Sequence, residues 1–301
     1  MKSAASPSPA AKLALAVVTE PERTQSFGGG AIPAGAREEA MRALLQTAAD
    51  AGVGRIATRP AGDGERLLGQ AWPFPSPFAV SVRTVCLSEG LDRVEARARR
   101  SLERMGLPRG DVLLCSAAGD LAGAEGRALW DRMLALKDRG LFRRIGFLAT
   151  MEDGPMLLAR RFQPDVVQMP CNILDQRPVT EGTLSELAGL GVDVHLSSVF
   201  ARGLLFTNRE NLPDHLADQG VALSRTRRRL AEARIDPMQA ALAFCLGLPP
   251  VAAVVASVAS AAELRAVLAA AHAPRPDLDW EALALGEPAA LSAPRRQQVA
   301  A

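Results

Sequence analysis

The sequence predicts an α/β fold, a (β/α)8 barrel, from three observations. Eight short apolar runs recur along the chain, and parallel strands covered on both faces read as such runs. Amphipathic stretches with helical spacing lie between many of them and stop at a glycine. The 301 residues suit one large core, since eight βα units take about 250 residues. An open, doubly wound sheet is the competing architecture, but no G-x-G-x-x-G follows the first run.

Taken in order, strands are expected at Leu13–Thr19, Gly54–Thr58, Ala79–Val85 and Asp111–Ser116, then at Arg144–Leu148, Asp165–Met169, Asp193–Ser198 and Ala252–Ala256. Helical spacing marks Arg37–Asp50, with Ala40, Leu44, Leu45 and Ala48 on one face, and also Asp92–Met105, Ala124–Arg139 and Leu184–Leu190. Two stretches break the rhythm. Val199–Val221 reads as a long loop, and loops of that length inside a compact domain are usually functional or mobile. Residues 288–301 read as a disordered Ala/Pro-rich tail, and residues 1–12 as a disordered lead. The barrel is therefore expected over 13–287.

Lys+Arg 35 against Asp+Glu 33 gives a net charge of +2, too even for a dedicated nucleic-acid binder or a polybasic membrane anchor. The longest apolar stretch, Val251–Ala262, is too short to cross a bilayer, and the N-terminus lacks the apolar core of a signal peptide. A cytoplasmic protein is expected. Cys86, Cys115, Cys171 and Cys245 lie far apart beside apolar runs, as small hydrophobes do, so neither disulfide nor zinc is predicted. There is no tyrosine, and aromatic residues make up 4%.

Several segments together resemble the aldo-keto reductase family, from about Leu13 to Ala271. Ile56–Gly69 (IATRPAGDGERLLG) is similar to the family's second-strand motif, and Asp111–Asp120 (DVLLCSAAGD) to the fourth-strand segment that ends in a catalytic His. Phe142–Ala149, Pro164–Asn172 and Val194–Leu205 resemble the next three strand ends. Gln239–Leu246 followed by Val251–Val267 resembles the last helix–strand–helix unit. The resemblance implies a (β/α)8 TIM barrel of aldo-keto reductase type that transfers hydride from a nicotinamide to a carbonyl. Such chemistry uses a Tyr general acid, a Lys paired with an Asp, and a His that orients the substrate.

None of these four groups carries over. The Asp position falls on Ala57, the Lys position on Arg83 and the His position on Ser116, and the Tyr is missing between Ala61 and Gly62. Arginine is cationic but does not give up its proton. Asp63, Glu65, Asp120 and Ser116 are the substitute acids to weigh; Asp63 and Glu65 also read as helix N-terminal charges. His195 reads as a strand residue. No catalytic residue is assigned.

The cofactor positions fare better by the same resemblance. Gln168 holds the position that bonds the nicotinamide amide, and Ser197 that of the aromatic which stacks on the ring. Leu148 and Ala149 replace a Ser-Asn pair. Ser198, Phe200, Arg202 and Gly203 match the loop over the pyrophosphate, and Ser257, Val258 and Ser260 the phosphate-binding last strand and helix start. Glu263, beside the adenosine 2′ position, would repel a 2′-phosphate, so NAD(H) is expected over NADP(H).

A barrel that keeps its nucleotide site and loses its tetrad further resembles NAD(H)-binding, oxidoreductase-like regulators of bacterial cell division. That resemblance implies the tubulin-like protein FtsZ and a cell-cycle sensor histidine kinase as partners, with possible recruitment to the division site. The terminal Val299, Ala300 and Ala301 resemble a signal read by the ClpXP protease. Arg225, Arg227, Arg228, Arg229 and Arg234 form a basic cluster, either a solvated helix or a docking patch for an acidic partner. Three readings stay open: a cofactor-sensing regulator, a reductase with an atypical proton donor, and an interaction module with a vestigial pocket.

Overall fold

The computed structural model describes residues 8–17, 37–73, 75–212, 214–286, 288 and 291, apart from the side chains of 209, 214 and 215. Eight strands close into a parallel barrel in sequence order. They are β1 Leu13–Val17, β2 Arg55–Ala57, β3 Ala79–Arg83, β4 Gly110–Cys115, β5 Phe142–Leu148, β6 Val166–Pro170, β7 Asp193–Ser197 and β8 Val251–Val258. β1 pairs with both β2 and β8, which closes the ring. Every strand lies within two residues of its expected ends where the residues are described.

The helices run in chain order as α1 Pro9–Lys12, α2 Arg37–Asp50, α3 Gly64–Ala71, α4 Leu91–Met105, α5 Ala118–Ala122 and α6 Gly126–Asp138. They continue as α7 Pro155–Phe162, α8 Arg177–Thr180, α9 Thr183–Gly189, α10 Gly220–Glu232, α11 Pro237–Leu246 and α12 Ala261–His272. The four helices expected from spacing all form. α7, only eight residues long, was not expected from spacing, though it buries Leu158, Ala159 and Phe162 on one face. Its start is set locally: Gly154 is left-handed and Pro155 occupies the first turn, where a missing N–H costs nothing.

Alternation along the strands divides the core in two. Outward residues such as Leu113, Ile145 and Val167 join the helices in one large cluster. Inward residues Val112, Leu114 and Val166 form a small cluster inside the barrel, with Leu148 packed on it. A β-carbon built on Gly146 would fall on the carbonyl oxygen of Val166, so only glycine lets β5 sit this close to β6. At the strand starts, Arg144 bridges Asp111 and Asp193, at 2.5 Å to each.

Two boundaries shift. Residues 9–12 are not part of a disordered lead: they form α1, with Ala10 buried and Arg55 Nη1 donating to the Ala11 carbonyl at 2.6 Å. Of the expected tail, Pro288 is buried and Leu291 packs on the core. The other positions from 289 on, including Val299, Ala300 and Ala301, lie outside the described residues. No helix among the described residues is long and apolar enough to cross a membrane.

Val199–Val221 is not an open loop. It folds into short turns at Ala201–Gly203, Arg209–Asn211 and Asp214–Gln219, and α10 already begins at Gly220. Phe200, Ala201, Leu204, Leu205 and Leu216 are buried, and their apolar burial is what fixes the segment.

Candidate functional site

A cavity of about 570 Å³ opens at the C-terminal ends of the strands, where barrels of this kind place their sites. Its floor follows from the period of two. Ala16, Ala57, Arg83 and Ser116 line it from the first half of the barrel, and Leu148, Gln168, Ser197 and Ser257 from the second. Each is an inward residue within two positions of the end of its strand. The register agrees, with Ala16 opposite both Ala57 and Ser257, and Leu148 opposite Gln168.

The wall comes from the loops. Arg59, Ser198, Phe200, Arg202 and Gly203 all line the cavity. Ser198, Ala201, Arg202 and Gly203 have φ of 55°, 48°, 55° and 88°. A non-glycine residue in this left-handed region costs on the order of 1–2 kcal/mol, so three within five residues mark a segment held against its preference. Asn172, which the sequence reading passed over, is one of the groups that holds it. Its Nδ2 donates to the Ser198 carbonyl at 3.1 Å, and its Oδ1 accepts from the backbone of Leu174 and Asp175.

Gln168 is 1% exposed, and its amide nitrogen has no hydrogen-bond partner. A buried unpaired donor costs about 1–3 kcal/mol. Facing a cavity, it suits a ligand carbonyl. The orphaned amide and the left-handed loop fit a nicotinamide dinucleotide.

The last-strand positions divide differently. Ser257 lines the cavity, whereas Val258 is buried in the core. Ser260 caps α12, its side chain accepting from the Glu263 N–H at 3.1 Å. The Glu263 carboxylate turns back to accept from the Ala259 N–H at 2.6 Å. Neither Ser260 nor Glu263 lines the cavity, and Glu263 is committed to the helix start as well as being a charge near it. We expect Ser260→Ala to lower stability by about 1 kcal/mol in urea unfolding.

None of the substitute acids is placed for proton transfer. Ser116 lines the floor, but its Oγ lies against the Thr84 carbonyl and its N–H donates to Thr84 Oγ1 at 3.1 Å. Asp120 accepts from the Leu87 N–H at 2.9 Å, and Asp63 is exposed and bonded to Arg66. Glu65 does lie in the first turn of α3, as its reading as a helix N-terminal charge expects, but it is not solvated. It is 1% exposed, 3.7 Å from Arg97 and 4.0 Å from Arg104. Burial pushes its carboxyl above the usual range, against a bond from Ser101 and the two arginines. Both carboxylate oxygens are buried without a hydrogen-bond partner.

Cys115 is buried, and desolvation pushes its thiol up to about 12. Among the described residues no cluster of ligands suits a metal ion. The basic helix is only partly a surface feature. Arg225, Arg228, Arg229 and Arg234 are exposed, but Arg227 is half-buried and donates to the Leu204 carbonyl at 2.8 Å. Arg229 also reaches the Ala282 carbonyl.

The model of the Aldo/keto reductase family matches residues 26–284. The chain belongs to this family. Aldo/keto reductases in general bind nicotinamide cofactors. The structure is similar to the holo form of the aldo-keto reductase AKR11C1 from Bacillus halodurans, with TM-score 0.68 and 20% identity over 90% of this chain and 89% of that one. Its apo form gives 0.67 and 20%, over 86% and 88%. The structure of PA4992 from Pseudomonas aeruginosa gives 0.61 and 18%, over 86% and 89%. At these identities the structural likeness is one of fold. No curated protein sequence matches the chain significantly.

Proposed function

We propose that this aldo/keto reductase barrel binds NAD(H), in preference to NADP(H), as a signal rather than as a co-substrate. The observation that carries the reading is one cavity with the unpartnered Gln168 amide beside the left-handed loop and, among the described residues, no side chain at the tetrad positions able to give up a proton. The bound dinucleotide would bring a hydride-carrying ring. Gln168 would orient its amide, while Ser198 and Arg202 would hold the pyrophosphate through backbone N–H groups and one guanidinium; Gly203, whose own N–H donates to the Phe200 carbonyl at 2.9 Å, would let the backbone approach closely. Ser197 gives no stacking surface, so the ring would be held less tightly than on an aromatic residue.

The regulatory role rests on resemblance to KidO, an NAD(H)-binding regulator of bacterial division on an oxidoreductase scaffold. In this reading the chain destabilises FtsZ assemblies and modulates a sensor histidine kinase, with the bound cofactor setting those contacts. Proteolysis by ClpXP through Val299, Ala300 and Ala301 would limit its lifetime.

Titration of NADH fluorescence on the purified protein tests the cofactor reading, and NADPH is the comparison. Saturable NADH binding supports it; no binding to either nucleotide ends it. A carboxylate near a 2′-phosphate costs on the order of 1 kcal/mol, so NADPH is expected to bind roughly fivefold more weakly. Glu263→Gln removes the charge yet keeps an acceptor for the Ala259 N–H, and is expected to narrow the gap. Sedimentation of FtsZ polymers with the protein, with and without NADH, tests the partner; equal pellets throughout would count against it.

A further inference from the structure

We propose that the solvent face of α10 is a docking surface for a carboxylate-rich peptide segment of a partner protein. Leu223, Thr226 and Leu230 of this helix are buried against the barrel. The opposite face carries Val221, Arg225, Arg228 and Glu232 at helical spacing, with Ser224 and Arg229 beside them. All of these are exposed, Val221 at 56%.

Arginines on several other helices have their charge matched within the chain. Arg42 pairs with Glu38 on α2 at 2.8 Å, Arg99 with Glu95 on α4 at 3.1 Å, and Arg127 with Asp131 on α6 at 3.0 Å. On α10, among the described residues, no carboxylate lies within ion-pair distance of Arg225, Arg228 or Arg229, Glu232 included. Arg228 and Arg229 follow Arg225 at i+3 and i+4, spacings at which like charges repel. An acidic segment laid along this face relieves that repulsion. The helix is also fixed in place. Thr226 Oγ1 donates to the Leu283 carbonyl at 3.2 Å, Arg227 Nη2 to the Leu204 carbonyl at 2.8 Å, and Arg229 reaches the Ala282 carbonyl. A charged face on a backbone held this way needs little ordering on binding. A bilayer fits less well, because a membrane-bound helix inserts its apolar face, and here that face is turned to the barrel. Single strands of nucleic acid stack their bases on aromatic side chains, and α10 has none.

The surface requires neither a bound nucleotide nor FtsZ, so its test uses neither. The probe is fluorescein-labelled decaglutamate, followed by anisotropy on the full chain at low ionic strength. One saturable site is expected, weakening as salt rises. Arg225→Gln and Arg228→Gln should each weaken it about threefold, as loss of one exposed charge pair does, and Arg225→Glu with Arg228→Glu should abolish it. Gln and Glu are good helix formers, so these losses read charge and not unfolding. Arg100→Gln, on the exposed face of α4, should change nothing. Absence of saturable binding overturns the proposal. So does equal weakening by Arg100→Gln, which would mean attraction to the chain's charge at large and not to this face. Vesicles of phosphatidylglycerol in phosphatidylcholine and a labelled oligothymidylate are the other arms. Tighter binding of either, with the same loss in Arg225→Gln, overturns the peptide partner and assigns the face to lipid or nucleic acid.

Discussion

Carbonyl reduction by this chain is expected to run slower than in a tetrad-bearing barrel by a factor on the order of 10²–10⁴ for the missing acid alone. The cause is that no described residue at the tetrad positions holds a proton that can leave at neutral pH. Ala57 has none, Arg83 keeps its own, and Ser116 lies against the Thr84 carbonyl. Cys115 is buried with its thiol pushed up to about 12. The Glu65 carboxylate is closed off from solvent. A panel of aldehydes and ketones with NADH, followed by loss of NADH absorbance, measures this. Ala57→Asp with Arg83→Lys restores a cation and its counter-ion but no donor, and should stay at the parent rate. Turnover at a family-like rate on any simple carbonyl would refute the reading.

The second large effect is a loss of stability in mild acid. His195 is 3% exposed on β7. Desolvation, aided by Arg144 and Arg55, pulls its pKa from 6.5 down to about 4. An imidazole whose pKa falls on folding stays neutral in the native state while the unfolded chain takes up the proton. Stability is therefore unaffected by this group above pH 6.5, declines as pH drops from 6.5 to about 4, and levels off below. At about 1.4 kcal/mol per unit, the loss approaches roughly 3 kcal/mol near pH 4. Carboxylates add their own acid sensitivity, so the comparison is with His195→Gln. Urea unfolding of both proteins at neutral pH and in mild acid should give curves that diverge on acidification. Parallel curves would mean that His195 is protonated or solvated in the native state.

Much of this protein is set by its sequence alone. The eight strands were legible because parallel strands are buried on both faces and therefore appear as unbroken apolar runs, such as Val251–Val258. The absence of the tetrad's tyrosine was legible because a residue type is either present or absent, and no tyrosine occurs in the chain. Gln168, Ser198, Arg202 and Gly203 could be placed because they follow strand ends, and in a barrel strand ends converge.

Tertiary structure decided what depends on a partner distant along the chain. Glu65 reads locally as a charge in the first turn of α3. Only the packing of α4 against it, with Arg97, Ser101 and Arg104, makes it a buried carboxylate. Glu263 reads as a charge with no other task until the fold shows one carboxylate oxygen accepting from the Ala259 N–H at the start of α12. Val199–Val221 reads as a loop because its polar residues outnumber its anchors; burial of Leu204, Leu205 and Leu216 makes it a packed wall. Arg59 carried no motif, and it lines the same cavity as Arg83 because β2 and β3 are neighbours. Periodicity and residue type are local properties, whereas burial, charge pairing and the meeting of loops are fixed by long-range contacts.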